Sequence, residues 1–358
     1  MPFLKRLATL RKRFKAEGLN GFIVIDRCNT HYFTGFRGTA SLLIVMPDVT
    51  LFLTDSRYYE HARKNLPPGV EVVLQKQDGR SQLKGFFDVR GKLRIGFESS
   101  ISYAKSKWLG SAIRPARLVE ADQIVRDMRI VKDEQEIRLV KKAASIVDRC
   151  MMMLKSEIKP GITERDLAIK IRRFFEDKGA WGESFPAIVA FGPNAALPHH
   201  ETSRRKLKKG DAVLVDMGCR FQGYCSDMTR TLFLGEADKS QREIYGIVLE
   251  AQKEGLKAVQ PGIPAREVDR VVRQVISRAG YMEAFGHNTG HGAGLDVHEP
   301  PVIGPRSEYI LRQGMIITVE PGIYLPGRFG VRIEDLVLVT PGGSRRLSRS
   351  SKKLTVIS

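Results

Sequence analysis

Three of the seven histidines in this 358-residue chain fall in one glycine-rich stretch, HNTGHGAGLDVHEPP, as His287, His291 and His298. Two more, His199 and His200, stand side by side in GPNAALPHHET. Imidazole ligates metals and moves protons near neutral pH. A lone histidine is more often a surface or core residue, but histidines gathered in two segments argue for a site. Glycines flank His291, so its ring has room to approach a partner closely. The acids are patterned as well. DAVLVDMGCRFQGYCSDMTRTLFLG reads as two strands joined at 220–223, with Asp216 and Asp227 equally far from the centre of that turn. They are expected opposite each other on one face. In GMIITVEPGIYLPGRFGVRIEDLVLVT, Glu320 and Glu334 each lie seven residues from Gly327 and are expected to face each other in the same way. One such pair could be satisfied by arginine or backbone donors. Two pairs among apolar strand residues carry four negative charges and need comparable positive charge nearby, which two divalent cations supply. An oxygen-rich shell with one or two imidazoles favours manganese, cobalt, iron or zinc over calcium or magnesium. HExxH is absent, so the pattern is not that of a zincin.

The elements that must position these residues are also legible. Short apolar runs (22–25, 42–46, 51–53, 70–74, 93–97) alternate with helical or turn-rich stretches up to about residue 126, the pattern of a mixed α/β domain. A long amphipathic helix follows, with Asp133 as N-cap and Glu136 in capping-box position, ending before Pro160-Gly161. The domain boundary is placed here, giving 1–126 and 127–358. An internal repeat then appears: PGITERDLAIKIRRFFEDKG (160–179) aligns without gaps on PGIPAREVDRVVRQVISRAG (261–280). Each copy is a turn and an amphipathic helix. Each is followed by a histidine-bearing segment and then by a strand pair with two acids, which makes the duplication credible.

The apolar runs are far shorter than the roughly 20 residues that span a bilayer, so no transmembrane helix is expected. The basic N-terminus lacks a secretory h-region, and Leu4, Leu7 and Phe14 fit the inner face of an ordinary first helix. Four scattered cysteines with no CxxC suggest neither a disulfide framework nor a zinc ribbon, and a cytoplasmic location fits. The formal charge is +19, and the basic runs RRKLKK (204–209) and RRLSRSSKK (345–353) could attract nucleic acid or anionic lipid. No aromatic-interleaved RNA motif accompanies them, so they are read as solvated faces rather than a nucleic-acid surface.

The segments PHH (198–200), VDMGCRFQGYCSDMTRT (215–231), HNTGHGAGLDVHEPP, TVEPGIY (318–324) and VRIEDLVLVT (331–340) resemble, in order and spacing, the pita-bread metallopeptidases of the Xaa-Pro aminopeptidase and prolidase branch. NTHYFTGFRG (29–38) and LFLTDSRYYEHA (51–62) resemble that branch's N-terminal domain, so the resemblance covers essentially the whole chain. It implies an α+β protein: a mixed α/β, creatinase N-terminal-like domain followed by a pseudo-twofold duplicated pita-bread catalytic domain. It implies Asp216, Asp227, His291, Glu320 and Glu334 as ligands of two divalent ions, with Asp227 and Glu334 among the bridging group. Manganese is the first expectation, with cobalt, zinc or iron as alternatives. It further implies His199 and His298 in proton transfer and transition-state stabilisation, His287 in the wall of a proline pocket, and Tyr324 and Arg332 around the substrate. Glu320 would accept the proton of the attacking water. The expected activity is removal of an N-terminal residue preceding proline, as an Xaa-Pro aminopeptidase acting on peptides with proline second. The nearest alternative is an Xaa-Pro dipeptidase, in which an arginine such as Arg332 would take the free carboxylate. A homodimer is also implied. The alternative of another class is a basic RNA- or ribosome-binding relative, but such proteins lose the ligands that are all present here.

Overall fold

The computed structural model describes residues 2–358. The chain divides into two compact units, the first ending at Arg129 and the second starting at Ile130. In the first unit, strands β1 (Gly21–Val24), β2 (Leu42–Val45), β3 (Thr50–Thr54), β4 (Glu71–Leu74), β5 (Arg94–Phe97) and β6 (Arg117–Glu120) form one sheet in the order β4-β3-β2-β1-β5-β6. Its pairings are mixed: β1–β2 and β2–β3 antiparallel, the others parallel. Helices α1 (Pro2–Ala16), α2 (Arg27–Thr34), α3 (Tyr59–Asn65), α4 (Arg80–Asp88), α5 (Tyr103–Ala112) and α6 (Asp122–Arg129) complete it. The central strands are continuous apolar runs because both faces are covered. The half-exposed edge strand β6 carries Arg117 and Glu120 and has no apolar run to announce it. In α1 the buried face is Leu7, Leu10 and Phe14, while Leu4 is 40% exposed, one turn beyond the packed part of the helix.

The second unit opens with α7 (Glu134–Glu157), started by a complete capping box of Asp133 and Glu136. It is built twice over. α8 (Glu164–Asp177) leads to β7 (Ile188–Phe191), β8 (Ala212–Met217), β9 (Arg220–Phe221), β10 (Tyr224–Cys225) and β11 (Met228–Leu234). After α9 (Lys239–Ala258), α10 (Ala265–Arg278) leads to β12 (Gly290–Gly292), β13 (Glu299–Ile303), β14 (Ile316–Val319), β15 (Gly322–Leu325), β16 (Phe329–Arg332) and β17 (Asp335–Thr340), with β18 (Gly343–Arg346) and β19 (Val356–Ile357) closing the chain. The repeat seen in the sequence is thus a repeat of structure, since α8 and α10 are both 14 residues long and begin at corresponding positions.

Strand alternation sorts the side chains into a packed face and a site face. In the sheet β19-β11-β8-β7, Val213, Val215, Met217, Met228 and Leu232 join the core with Leu167, Ile171 and Phe175 of α8 and with the apolar side of α7. Asp216 and Thr229 lie on the opposite face. In the sheet β13-β12-β14-β17-β18, Ile317, Val319, Val337 and Val339 pack with Ala265 and Val268 of α10. The other face there carries Thr318 and continues to Glu320. No helix among the described residues is long and apolar enough to cross a membrane.

Candidate metal centre

The long second hairpin keeps one register from Ile316↔Leu338 through Val319↔Asp335 to Gly322↔Arg332 and Leu325↔Phe329. Glu320 and Glu334 therefore fall opposite each other, centred on Gly327, at the point where the hairpin leaves one sheet for the next. The first hairpin differs from the sequence expectation. Asp216 pairs with Thr229, and Phe221 with Tyr224, so the turn is Gln222-Gly223 and not the centre of 220–223. Both turn residues have positive φ, 47° and 92°, the conformation of a tight two-residue hairpin turn. Asp227 lies two residues before Thr229, on the same face as Asp216 but diagonal to it.

His291 arrives on β12 between Gly290 and Gly292. The reason for these glycines is the backbone around them: a Cβ on Gly290 would collide with the Thr318 carbonyl, and one on Gly292 with that of Pro300. The His291 Nδ1–H donates to the Gly292 carbonyl at 3.0 Å. That leaves the Nε2 lone pair aimed among carboxylates, 3.3 Å from Glu320 Oε1 and 3.5 Å from Asp227 Oδ2. Donor atoms converge within 4.8 Å in three groups: Asp227–His291–His298, His291–Glu320–Glu334 and Asp216–Asp227–Glu334. Thr229 Oγ1 donates to Glu334 Oε2 at 2.7 Å, and Thr318 Oγ1 to Glu320 Oε1 at 3.0 Å. Two buried oxygens, Asp216 Oδ1 and Glu334 Oε1, have no hydrogen-bond partner among the described residues.

Electrostatics tests whether these residues fit a metal. Burial pushes the Asp227 carboxyl well above the usual range, and the charges of Glu334, Asp216 and Glu320 push the same way. Burial likewise raises Glu334, and raises Glu320 to about 7. Against these four carboxylates, among the described residues, stands the Arg332 guanidinium, 2.7 Å from Asp216 Oδ2. The remaining negative charge, the orphaned oxygens and an imidazole fixed by a backbone carbonyl together form a donor set for hard or borderline divalent cations.

The centre opens into a cavity of about 480 Å³, lined by all five of these residues with His199, His287, His298 and Arg332. The His298 ring packs edge-on against His291, 4.3 Å between centroids. A relay fixes His287: Arg332 Nη1 donates to the Tyr324 hydroxyl at 2.8 Å, that hydroxyl to His287 Nε2 at 2.8 Å, and His287 Nδ1–H to the Asn288 carbonyl at 2.8 Å. Burial, with Arg332 nearby, pushes His287 down to about 4, so its ring presents a neutral wall. The Tyr324 hydroxyl thus joins two residues of the cavity lining, Arg332 and His287. Arg332 is 3% exposed and donates to Thr229 Oγ1, the Tyr324 hydroxyl, the Pro198 carbonyl and Asp216, which commits four of its five N–H donors within the protein. Phe185, Pro186 and Ile188 also line the cavity. Sequence reasoning missed them, although their position just ahead of the first histidine segment was a usable signal. His200 borders the cavity too, with its Nε2 directed at Glu164.

Two family models match the chain. Residues 6–131 match the creatinase/prolidase N-terminal domain, and residues 138–341 match metallopeptidase family M24. The chain belongs to metallopeptidase family M24. Like its relatives it is a metallo-exopeptidase, and the family implies divalent metal. It is 37% identical over 340 residues, 94% of this chain and 95% of the other, to a protein named Xaa-Pro dipeptidase from Pyrococcus horikoshii. The structure described as Xaa-Pro dipeptidase from Bacillus anthracis superposes with a TM-score of 0.95 at 36% identity, covering 99% of each chain. The X-Pro aminopeptidase from Thermotoga maritima superposes with a TM-score of 0.90 at 34% identity, covering 96% of this M24 chain and 100% of the other.

Proposed function

We propose that this M24 peptidase hydrolyses the bond between an N-terminal residue and proline in Xaa-Pro dipeptides, with two divalent ions, manganese first, held by Asp216, Asp227, His291, Glu320 and Glu334. The observation that carries the metal-dependent part is the convergence of these donors, two of their oxygens unpartnered, on one cavity. The choice of dipeptides over the longer peptides expected from sequence rests on the relatives named dipeptidases, matched over nearly the full chain.

When bound, the ions would supply Lewis acidity, lowering the pKa of the attacking water and polarising the scissile carbonyl. The chain's own residues do the rest. Glu320, hydrogen-bonded through Oε1 to Thr318, takes the proton from the water. His298 and His199 brace the developing oxyanion and return a proton to the proline nitrogen as the bond breaks. The neutral ring of His287 forms an uncharged wall against which a pyrrolidine can pack. Arg332 holds Asp216 in place and keeps the Tyr324–His287 relay in register. Proline's nitrogen has no N–H and its ring fixes φ, so the bond needs a site shaped for it.

Hydrolysis of Ala-Pro and Ala-Pro-Ala by chelator-stripped protein, with and without added Mn²⁺ or Co²⁺, is the test. Metal-dependent cleavage of Ala-Pro with Ala-Pro-Ala left intact is the expected result. Release of alanine from Ala-Pro-Ala would instead make it an Xaa-Pro aminopeptidase, the reading favoured by the likeness to the Thermotoga maritima protein. Cleavage of neither would overturn both.

A further inference from the structure

Glu164, the first residue of α8, is not that helix's cap. Thr163 and Asp166 form the capping box, and the Glu164 side chain turns inward and is fully buried. Its carboxylate gathers donors 27 to 39 residues away. Oε1 accepts from the Phe191 N–H at 2.8 Å and from Asn194 Nδ2 at 2.9 Å. Oε2 accepts from the Ser203 N–H at 2.9 Å, from Ser203 Oγ, and from His200 Nε2 at 2.8 Å. Burial alone would raise this carboxyl, but the donors outweigh it and hold it below its usual range. It is an anion, so His200 must donate through Nε2.

These partners bracket the loop that carries Pro198 and His199 into the cavity. At its tip the loop has a second tie, from Arg332 Nη1 to the Pro198 carbonyl at 3.3 Å. His199 itself, exposed to the cavity, makes no side-chain hydrogen bond among the described residues. Its position is therefore inherited from its backbone. The second half of the repeat uses a comparable device. Asp269 of α10, buried, accepts from Thr289 N–H and Oγ1 and from Arg273 Nε, and Arg273 Nη2 donates to the His287 carbonyl at 2.6 Å. Both repeat helices thus send one buried carboxylate to tie down a histidine-bearing segment.

The geometry points to Glu164 as a positioning residue for the reaction, which holds His199 at its working distance by fastening the 191–203 loop through His200 and Ser203. This rests on the proposed peptidase activity and on the place of His199 in it. Glu164→Gln keeps the size of the side chain but sets an amide N–H₂ against N–H donors. Loss of such an outer partner is expected to lower kcat roughly 10–100-fold, with KM and bound-metal stoichiometry within about twofold of wild type. The deciding measurement is a double-mutant cycle with His199→Ala. If Glu164 acts through His199, Glu164→Gln costs no further kcat in the His199→Ala background. An equal loss in both backgrounds, or no loss in either, overturns the proposal. His200→Ala and Ser203→Ala each delete one donor, leave the carboxylate in place, and give the same cycle should Glu164→Gln fail to fold. Wild-type protein that cleaves neither Ala-Pro nor Ala-Pro-Ala would overturn the peptidase reading itself, a different outcome from any in the cycle.

Discussion

Asp227 sits in two of the three donor groups, 4% exposed, with acids on several sides. Its folded-state carboxyl is held well above the ordinary value by burial and then by Glu334, Asp216 and Glu320. An acid whose pKa is raised on folding contributes stability at low pH that is lost as pH rises through the folded value, so at neutral pH the metal-free site is a net cost. Asp227→Asn removes that cost and also removes a ligand. After chelation the variant is expected to melt at or above the temperature of equally stripped wild type. Added Mn²⁺ should raise wild type by several degrees, since a ligand at a hundred times its Kd contributes about 2.7 kcal/mol, and should leave the variant almost unmoved. Calorimetry with and without metal reads both signs. A stripped variant melting well below stripped wild type would mean that the protein alone satisfies these acids. Arg332 shows what residue identity leaves hidden: its type suggested a grip on substrate, and the structure adds four protein acceptors through which it also braces Asp216 and Tyr324.

Among the elements, β12 is held by close approach of backbones, and this has a sharp internal control. Gly290→Ala drives a Cβ into the Thr318 carbonyl of β14, whereas Gly286, four residues earlier and without positive φ, has nothing within 4 Å of an added Cβ. Gly290→Ala is expected to lower the melting temperature by several degrees and to displace His291, while Gly286→Ala stays within about 0.5 kcal/mol of wild type. Thermal melts of the two variants check this, and equal effects would mean that β12 can shift to make room. The same elements show what spacing can and cannot reveal. The Glu320–Glu334 register was legible because Gly327 centres a hairpin that keeps one register on both sides of the break between its two sheets. The Asp216–Asp227 pairing was not, because the turn formed where Gln222 and Gly223 accept positive φ, one residue beyond the centre suggested by the acids. The repeat helices were legible from Pro-Gly turns and apolar spacing. The inward turn of Glu164 was not, since an acid in a first helical turn ordinarily reads as a response to the helix dipole.

At the scale of the whole molecule, a charge of +19 needs an explanation that a peptidase site does not supply. Part of it is structural. In the run 204–209, Arg205 donates to the Phe191 carbonyl and pairs with Asp211 at 2.9 Å, while Leu207 is core. In the run 345–353, Lys352 lies 2.7 Å and Arg346 3.6 Å from the fully buried Asp335, which also pairs with Arg230 at 2.7 Å. Burial would raise the Asp335 carboxyl, but Arg230 and Lys352 outweigh it and hold it below its usual value. These cations are engaged with the fold, and those left over are spread on solvated faces. Binding of polyanions by such faces is counterion release without recognition, and it falls by about three orders of magnitude or more between 50 and 200 mM salt when several phosphates are contacted. Fluorescence anisotropy with a labelled single-stranded oligoribonucleotide is therefore expected to show weak binding at 50 mM salt and none at 200 mM, while Xaa-Pro hydrolysis persists at both. Submicromolar RNA binding that survives 200 mM salt would require a built surface. It would move the excess charge from solvation to function.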